Sequence, residues 1–276
     1  MEHLFDILYE DDHLLVINKP AGLVCHPTKT DEYSSLIGRV RLYLGAPASL
    51  PASSRQSLHP HLINRLDRET SGVILVAKSA AVAGELGKIW EARAVEKEYL
   101  AIVHNYVRES HGIIEAPLGK DLHSPVAIKD CVRADGTPAR TEYWLEQRLS
   151  SVHSGFEVQG SRFDVGPFSS SQPSTLTAQP YSLLRIRPYT GRKHQIRIHL
   201  AHIGHPIVGD KLYGGDEDLY LALVQNRLTG EQRARLILPH HALHASKLRF
   251  FWREAEHVFE APPDPRFAAF AMLAHC

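Results

Sequence analysis

Cysteine is scarce in this sequence, long apolar runs are missing, and the charges cancel. Cys25, Cys131 and Cys276 are odd in number, far apart and never arranged as CxxC. That pattern excludes a disulfide framework and a thiolate metal site, and it points to a reducing compartment, with the cytoplasm as the expected location. No apolar stretch approaches the roughly 20 residues a helix needs to span a bilayer, so no membrane association is expected. The opening residues, MEHLFDILYEDDHLLV, are acidic and carry neither a basic leader nor a small-residue cleavage site, so no secretory signal is expected. A Walker loop, a GxGxxG turn and an HExxH helix are all missing, which leaves no expectation of a nucleotide cofactor or a metal. No internal repeat is visible.

What is present is an ordinary globular composition, 43% hydrophobic and 22% charged over 276 residues. That length suits one large domain or two modest ones. A formal net charge of zero argues against a uniformly basic nucleic-acid binder, but distribution matters more than the total. Arg185, Arg187, Arg192, Lys193 and Arg197 crowd into thirteen residues, while acids gather near the N-terminus and at Asp216, Glu217 and Asp218. The crowd suggests a local phosphate-binding face; a merely solvated charged face is the plain alternative.

Hydrophobic patterning outlines the elements. LLVINK (14–19) reads as a strand closed by the turn Pro20-Ala21-Gly22. Residues 45–60 are rich in Pro, Ser and Ala and read as loop. HLINRL, the polar turn DRETSG and the β-branched GVILVAK then read as strand, loop and strand. Ser79 is placed to cap a helix over about 80–93, with Leu86, Ile89 and Trp90 at helical spacing and Gly84 and Gly87 weakening it. EKEYLAIVHNYV and YSLLRIRP return to strand character, and HHALHASKLRFFW is a further strand candidate. Between them, residues 150–180 hold a serine run and three prolines and read as a long flexible insertion. Thr190 is placed to cap a helix whose Ile196, Leu200 and Ile203 share a face and which Gly204 ends. Strands and helices are intermixed, not strictly alternating, which favours a mixed sheet over a doubly wound one.

Two stretches carry chemistry. The first, Arg65-Leu66-Asp67-Arg68-Glu69-Thr70-Ser71-Gly72, sets a carboxylate on a loop between strands, positioned by rigid elements yet open to a ligand. An aspartate that only caps the turn is the structural alternative. The second runs from Pro188 to His199 and places Arg192, Lys193 and His194 at a helix N-terminus, where free N–H groups favour anions such as phosphate. An ordinary capped helix with exposed cations is its alternative.

Together these stretches resemble the RluA-type RNA pseudouridine synthases. That family's RLDxxTSG element is matched by Arg65 to Gly72, and its KxY strand by Lys97-Glu98-Tyr99. Its GRxHQIRxH element is matched from Gly191 to His199, GHPIxGD from Gly204 to Asp210, and YG by Tyr213-Gly214. NKPAGL at 18–23 and LHA at 243–245 complete the series, which spans about residues 10–250 in the family's order. Asn64 stands where the family commonly has histidine, the 150–180 insertion is long, and the pattern begins almost at Met1, so no N-terminal accessory RNA-binding domain is expected.

The resemblance implies an α/β fold of the α+β type, a single catalytic domain over 1–276 with a mixed, largely antiparallel sheet, flanking helices and a central basic cleft. It implies a monomer that isomerises uridine to pseudouridine in ribosomal or transfer RNA without a cofactor. Asp67 is then the catalytic carboxylate, either as a nucleophile or as a base and ion stabiliser. Tyr99 corresponds to a tyrosine that stacks on the base and helps remove the proton from carbon 5, and Arg197 to the arginine paired with the aspartate. Such a cation keeps a carboxylate ionised where desolvation would neutralise it. Arg65 corresponds to an arginine that supports the flipped nucleotide. Arg192, Lys193 and His194 are expected on the RNA, and Leu243 against the uracil ring or simply in the core. Helical RNA hides its base edges, so recognition by shape and an unstacked loop is expected.

Two other classes of function deserve weighing. Eighteen histidines, among them His194, His199, His202, His205, His240, His241 and His244, raise a metal-dependent hydrolase. Their spacing supplies no interleaved acidic ligand, and solvated or RNA-facing histidines fit better. A catalytically inactive RNA-binding protein is the second, opposed by the intact Asp67, Tyr99 and Arg197.

Overall fold

A computed structural model describes residues 4–27, 34–45, 59–151 and 179–273. The chain opens with the hairpin β1 (Asp6–Glu10) and β2 (Leu14–Lys19). Asp11 closes its turn by accepting the His13 and Leu14 N–H groups, each at 2.7 Å. Next come α1 (Leu36–Gly45), β3 (His61–Leu62), β4 (Ser71–Ala77) and α2 (Ala80–Glu91). Strands β5 (Val95–His104), β6 (His111–Glu115), β7 (Leu118–Lys120), β8 (Asp130–Val132), β9 (Arg140–Ser151) and β10 (Gln179–Pro188) follow. The chain continues through α3 (Gln195–His202), α4 (Asp218–Val224) and α5 (Gly230–Leu236). It closes with β11 (Leu243–Trp252), β12 (Ala255–Glu260) and α6 (Pro265–Leu273).

The expected mixed, largely antiparallel sheet is observed. Its order is β1-β2-β4-β11-β5-β10-β9-β6, with β3 added beside β4 and β12 beside β11, while β7 and β8 pair separately. The pairing of β4 with β11 is parallel, short and central: Ser71 faces His244 and Gly72 faces Ala245. Gly72 has φ +114°, and a Cβ there would lie 2.2 Å from the Ala245 carbonyl oxygen. Only glycine permits that close approach of two backbones, immediately beside the Asp67 loop.

Strand β4 shows why the central strands read as continuous apolar runs. All seven residues of SGVILVA are buried. Val73, Leu75 and Ala77 pack on one face with Val82 and Leu86 of α2. Ile74 and Val76 pack on the other with Leu36 and Val40 of α1. A strand covered on both faces has no polar side to alternate with; each large side chain buried there contributes about 1.5–3 kcal/mol. Ser79 caps α2 as expected, its hydroxyl accepting the Val82 N–H.

Two expectations are corrected, and one helix is new. HLINRL is a strand only at His61–Leu62. Beyond it the Asn64 side chain takes over the ladder, donating to the Val73 carbonyl at 3.0 Å and accepting the Leu75 N–H at 2.8 Å. The side-chain amide imitates a strand backbone and frees the chain to turn towards Asp67. The 150–180 insertion is shorter at its edges, because Ser150 and Ser151 of β9 pair with Pro180 and Gln179 of β10; its interior, and most of the 45–60 loop, lie outside the described residues. Helix α1 was not expected from the sequence, where Gly38 and the adjacent pair Leu36-Ile37 blur its period.

Candidate active site

Asp67 sits on the loop between β3 and β4, and that loop is held from both sides. From one side, the ammonium of fully buried Lys19 donates to the carbonyls of Pro20, Leu23 and Arg68 at 2.9, 2.8 and 3.2 Å. Burial lowers the Lys19 pKa to about 8, while the nearby charges of Cys25 and Asp67 oppose the fall. Gly22, at φ +90°, donates its N–H to the Arg68 carbonyl at 2.8 Å, and Cys25 exchanges contacts with the backbone of Leu66. The NKPAGL segment therefore works as a clamp on the aspartate loop. On the other side, Thr70 bonds the His241 ring at 2.7 Å and Glu69 pairs with Lys211 at 2.9 Å.

Arg197, buried on α3, donates from Nη1 to Asp67 Oδ2 at 3.0 Å. Its Nε and Nη2 reach Asp210 Oδ2 and Oδ1 at 2.6 and 2.9 Å. Asp210 has no exposed side-chain surface and also accepts the N–H groups of Leu212 and Tyr213 at 2.9 and 3.0 Å. The Arg197 guanidinium lies 5.0 Å from the Tyr213 ring centroid, and the Tyr213 hydroxyl meets His194 Nδ1 at 2.9 Å. Burial pushes the Asp67 pKa up, but the Arg197 charge, followed by His194, outweighs it and holds the carboxyl below its ordinary value. Asp210 is likewise held far down, against burial, by Arg197. Asp210 is the site residue that sequence reasoning missed: its motif was matched, but nothing in the sequence tied it to Arg197.

A cleft of about 580 Å³ opens over Asp67. Six of its lining residues are Lys or Arg (Arg65, Arg68, Lys97, Arg192, Lys193 and Arg197), and Asp67 is the only carboxylate among them. The structure thus brings all eight expected site residues to one cleft, since Tyr99, His194 and Leu243 line it as well. Tyr99 is half-buried on β5; burial first, and the Asp67 charge second, push its phenol well above the ordinary tyrosine value. Leu243 is 5% exposed and belongs to the main core as well as to the cleft wall. Arg65 is exposed and makes no hydrogen bond or ion pair among the described residues.

Two expectations about the second stretch are corrected. Thr190 does not cap α3: His194 is the cap residue, at φ 54° and without a side-chain cap bond. The Gln195 amide organises the turn instead, accepting from the Thr190 hydroxyl and the Arg192 N–H at 2.7 and 3.0 Å and donating to the Arg140 carbonyl and Thr141 hydroxyl at 2.9 Å. The basic crowd from Arg185 to Arg197 does not form one face either. Arg185 pairs in register with Leu100, and Ile186 with Tyr99, so Arg185 and Arg187 take the sheet face opposite Tyr99. There Glu146 lies 2.8 Å from Arg185 and Glu98 3.0 Å from Arg187. Lys193 pairs with Asp130 at 2.9 Å.

Buried His199 and His244 have structural work, which corrects their reading as solvated or RNA-facing, whereas His202 is exposed and His194 lines the cleft. His199 donates from Nε2 to the Ala116 carbonyl and accepts from the Thr141 hydroxyl. His244 donates from Nε2 to the Ala261 carbonyl and accepts from Ser71. A carbonyl only accepts, so these contacts fix both tautomers. Among the described residues no three His, Cys, Asp or Glu side chains converge in a metal-binding group, and no helix is long and apolar enough to cross a membrane.

Comparison with known proteins places this geometry. The pattern of the RNA pseudouridylate synthase family matches residues 13–202. The tRNA pseudouridine synthase C of Haemophilus ducreyi is 37% identical over 87% of this chain and 84% of its own length. The ribosomal large subunit pseudouridine synthase D of Xanthomonas campestris is 34% identical over 89% of this chain. The chain spans 61% of that relative and 56% of an RNA pseudouridine synthase of Aquifex aeolicus that it also matches. The solved structure of human RNA pseudouridylate synthase domain containing 4 shares the fold, with a TM-score of 0.67, 24% identity and coverage of 98% and 92% of the two chains. With the matched residues running from β2 through the Asp67 loop to the end of α3, the chain belongs to the RNA pseudouridylate synthase family.

Proposed function

We propose that this chain isomerises uridine to pseudouridine in structured RNA, with Asp67 acting at the sugar. The observation that carries the reading is an ionised carboxylate in a cationic cleft, held by Arg197, which is itself anchored on Asp210. In the reaction the bond from the sugar C1′ to N1 breaks, the uracil turns, and C1′ bonds to carbon 5. The proton leaving carbon 5 is balanced by one gained at N1, so the product is an isomer and the chemistry calls for no metal or cofactor. Asp67 serves as the nucleophile at C1′ or as base and ion stabiliser. Arg197 keeps it ionised.

The high phenol pKa of Tyr99 favours a neutral ring that stacks on the base and hands on a proton, not a standing phenolate. Leu243 packs against the uracil within the cleft wall. Arg65, exposed at the rim, supports the flipped nucleotide, and Arg192, Lys193 and His194 meet the RNA backbone. The named relatives act, as their names say, on ribosomal and on transfer RNA, and either RNA class fits this cleft. We further propose that residues 1–276 work as one catalytic domain, as a monomer in the cytoplasm. The test is incubation of the purified protein with tRNA and large-subunit ribosomal RNA transcripts, followed by carbodiimide adduct mapping through reverse-transcription stops. New stops with wild type and none with Asp67→Asn are expected. Binding without new stops would favour the inactive RNA-binding reading.

A further inference from the structure

Two residues that line the cleft, Trp90 and Lys97, are not used by the catalytic reading. Lys97 lies two residues before Tyr99 on β5, so the two side chains share a face, with their Cα atoms about 7 Å apart along the strand. That separation is comparable with one nucleotide step. Lys97 is half-buried and lines the cleft. Its ammonium sits 5.9 Å from the Trp90 ring centroid, and Trp90 is fixed in turn by an edge contact with Phe250 at 5.4 Å.

Of the six cleft cations, Lys97 and Arg65 lack a polar partner among the described residues, and only Lys97 of these two is half-buried. Arg197 is shared by two carboxylates, Lys193 faces Asp130, Arg68 donates to the Gly22 carbonyl, and Arg192 donates to the Pro138 carbonyl. The Lys97 ammonium has no ion pair and no hydrogen bond among the described residues, only the Trp90 ring. Burial lowers its pKa, with no nearby carboxylate to oppose that. A cation partly stripped of water, steered by an aromatic wall and left without an anion, is arranged to receive one from outside. The formal charges on RNA are its phosphates, and the neighbouring Tyr99 side would hold the target base.

We infer that Lys97 binds the backbone phosphate of a nucleotide flanking the target uridine, with Trp90 as the wall that aims its ammonium. This inference rests on the RNA-modifying reading of the same cleft.

The experiment measures fluorescence anisotropy of labelled tRNA and large-subunit ribosomal RNA transcripts across a salt series, with wild type, Lys97→Met and Lys97→Arg. Lys97→Met keeps the aliphatic stem and removes the charge. It should bind about tenfold more weakly, as loss of a charged hydrogen bond implies, and its salt slope should fall by about 0.7–0.9, one phosphate's share. Lys97→Arg should keep the wild-type slope. Thermal melting of the free Lys97→Met protein should be at or above the wild-type midpoint, because a half-buried charge without an anion has been removed. A methylphosphonate at the flanking position should cost wild type the same affinity and Lys97→Met nothing further.

If Lys97→Met binds with wild-type affinity and slope while wild type makes pseudouridine, the phosphate site is overturned and the reading of the cleft stands. If wild type binds these RNAs without modifying them and Lys97→Met still lowers the slope, the phosphate site stands without the activity. If wild type neither binds nor modifies them, both fall. A Lys97→Met protein that melts well below wild type, with Lys97→Arg showing a reduced slope, would also overturn the inference.

Discussion

Arg197 and Asp210 form a two-bond pair, with Nε and Nη2 of the guanidinium 2.6 and 2.9 Å from the two carboxylate oxygens. That fork fixes the plane of the guanidinium and leaves Nη1 pointing at Asp67, 3.0 Å away. The two carboxylates have different surroundings: Asp210 is sealed from solvent, while the Asp67 side chain is 31% exposed and opens to the cleft. The first anchors the cation, and the second is available to a ligand.

Removing the anchor should therefore cost more stability than removing the exposed partner. Asp210→Asn turns an amide towards a buried cation and should destabilise the fold by about 3–5 kcal/mol, the usual penalty for breaking a buried pair. Asp67→Asn should cost far less. Urea titration of both variants at neutral pH checks the order. Equal midpoints for Asp210→Asn and wild type would mean that the pair does not anchor α3.

Asp67→Asn keeps the shape of the side chain and removes its charge. Pseudouridine formation should become undetectable, while RNA affinity stays within about tenfold, a difference of ~1.4 kcal/mol. Arg197→Lys keeps a cation but cannot span Asp67 and Asp210 with a planar fork, so turnover should drop substantially without vanishing. Single-turnover isomerisation and filter binding on one RNA, with circular dichroism as a folding control, read all three effects. Wild-type turnover by folded Asp67→Asn would remove Asp67 from the chemistry.

How much of this was legible in the sequence depends on how local each feature is. Strands β2, β4 and β10 and the Ser79 cap follow from apolar patterning and one hydroxyl within a few residues. The meeting of Asp67 with Arg197, 130 positions away, came only through the family resemblance. Asp210 and Lys19 were inside matched motifs, yet their purpose is a tertiary contact that no periodicity encodes. Thr190 had the right chemistry for a cap, but the Gln195 amide made a closer set of bonds to Arg140 and Thr141 and took the turn. The cluster from Arg185 to Arg197 looked like one basic face because sequence counts charges without the strand alternation that separates them, or the glutamates of β5 and β9 that neutralise them.

That separation sharpens the expectation for RNA binding. Arg192 is exposed and has no acidic partner among the described residues, whereas Lys193 is paired with Asp130. Arg192→Ala should weaken binding of all RNAs similarly and reduce the salt slope by about one phosphate contact. Lys193→Ala should do less, and Arg185→Ala should leave the slope unchanged. A salt series by filter binding distinguishes the three; a slope lowered most by Arg185→Ala would restore the single basic face.

Stability should also fall in acid through His241. Burial, reinforced by the Arg197 charge, lowers its pKa to about 4, although Asp210 and Glu69 pull the other way. In the unfolded chain the imidazole titrates near its ordinary value of about 6.5. Between these values the unfolded state takes up a proton that the folded state refuses, so stability is lost as pH falls from about 6.5 to about 4. The full difference is on the order of 3 kcal/mol. Glu69 adds a lower window: against burial, His240 first, then Lys211 and His241, hold it at about 2, so its contribution is lost as pH falls from about 4.5 to about 2. Urea midpoints for wild type and His241→Gln at intervals from pH 7 to pH 4 test the upper window. The wild-type slope of unfolding free energy against pH should exceed that of His241→Gln by up to about 1.4 kcal/mol per unit, one proton's worth. Buried His199 and His244, also lowered chiefly by burial, should keep some slope in the variant. Identical slopes would mean that His241 titrates as freely in the folded protein as in the unfolded chain, and that the ring behind Thr70 is not sealed from water.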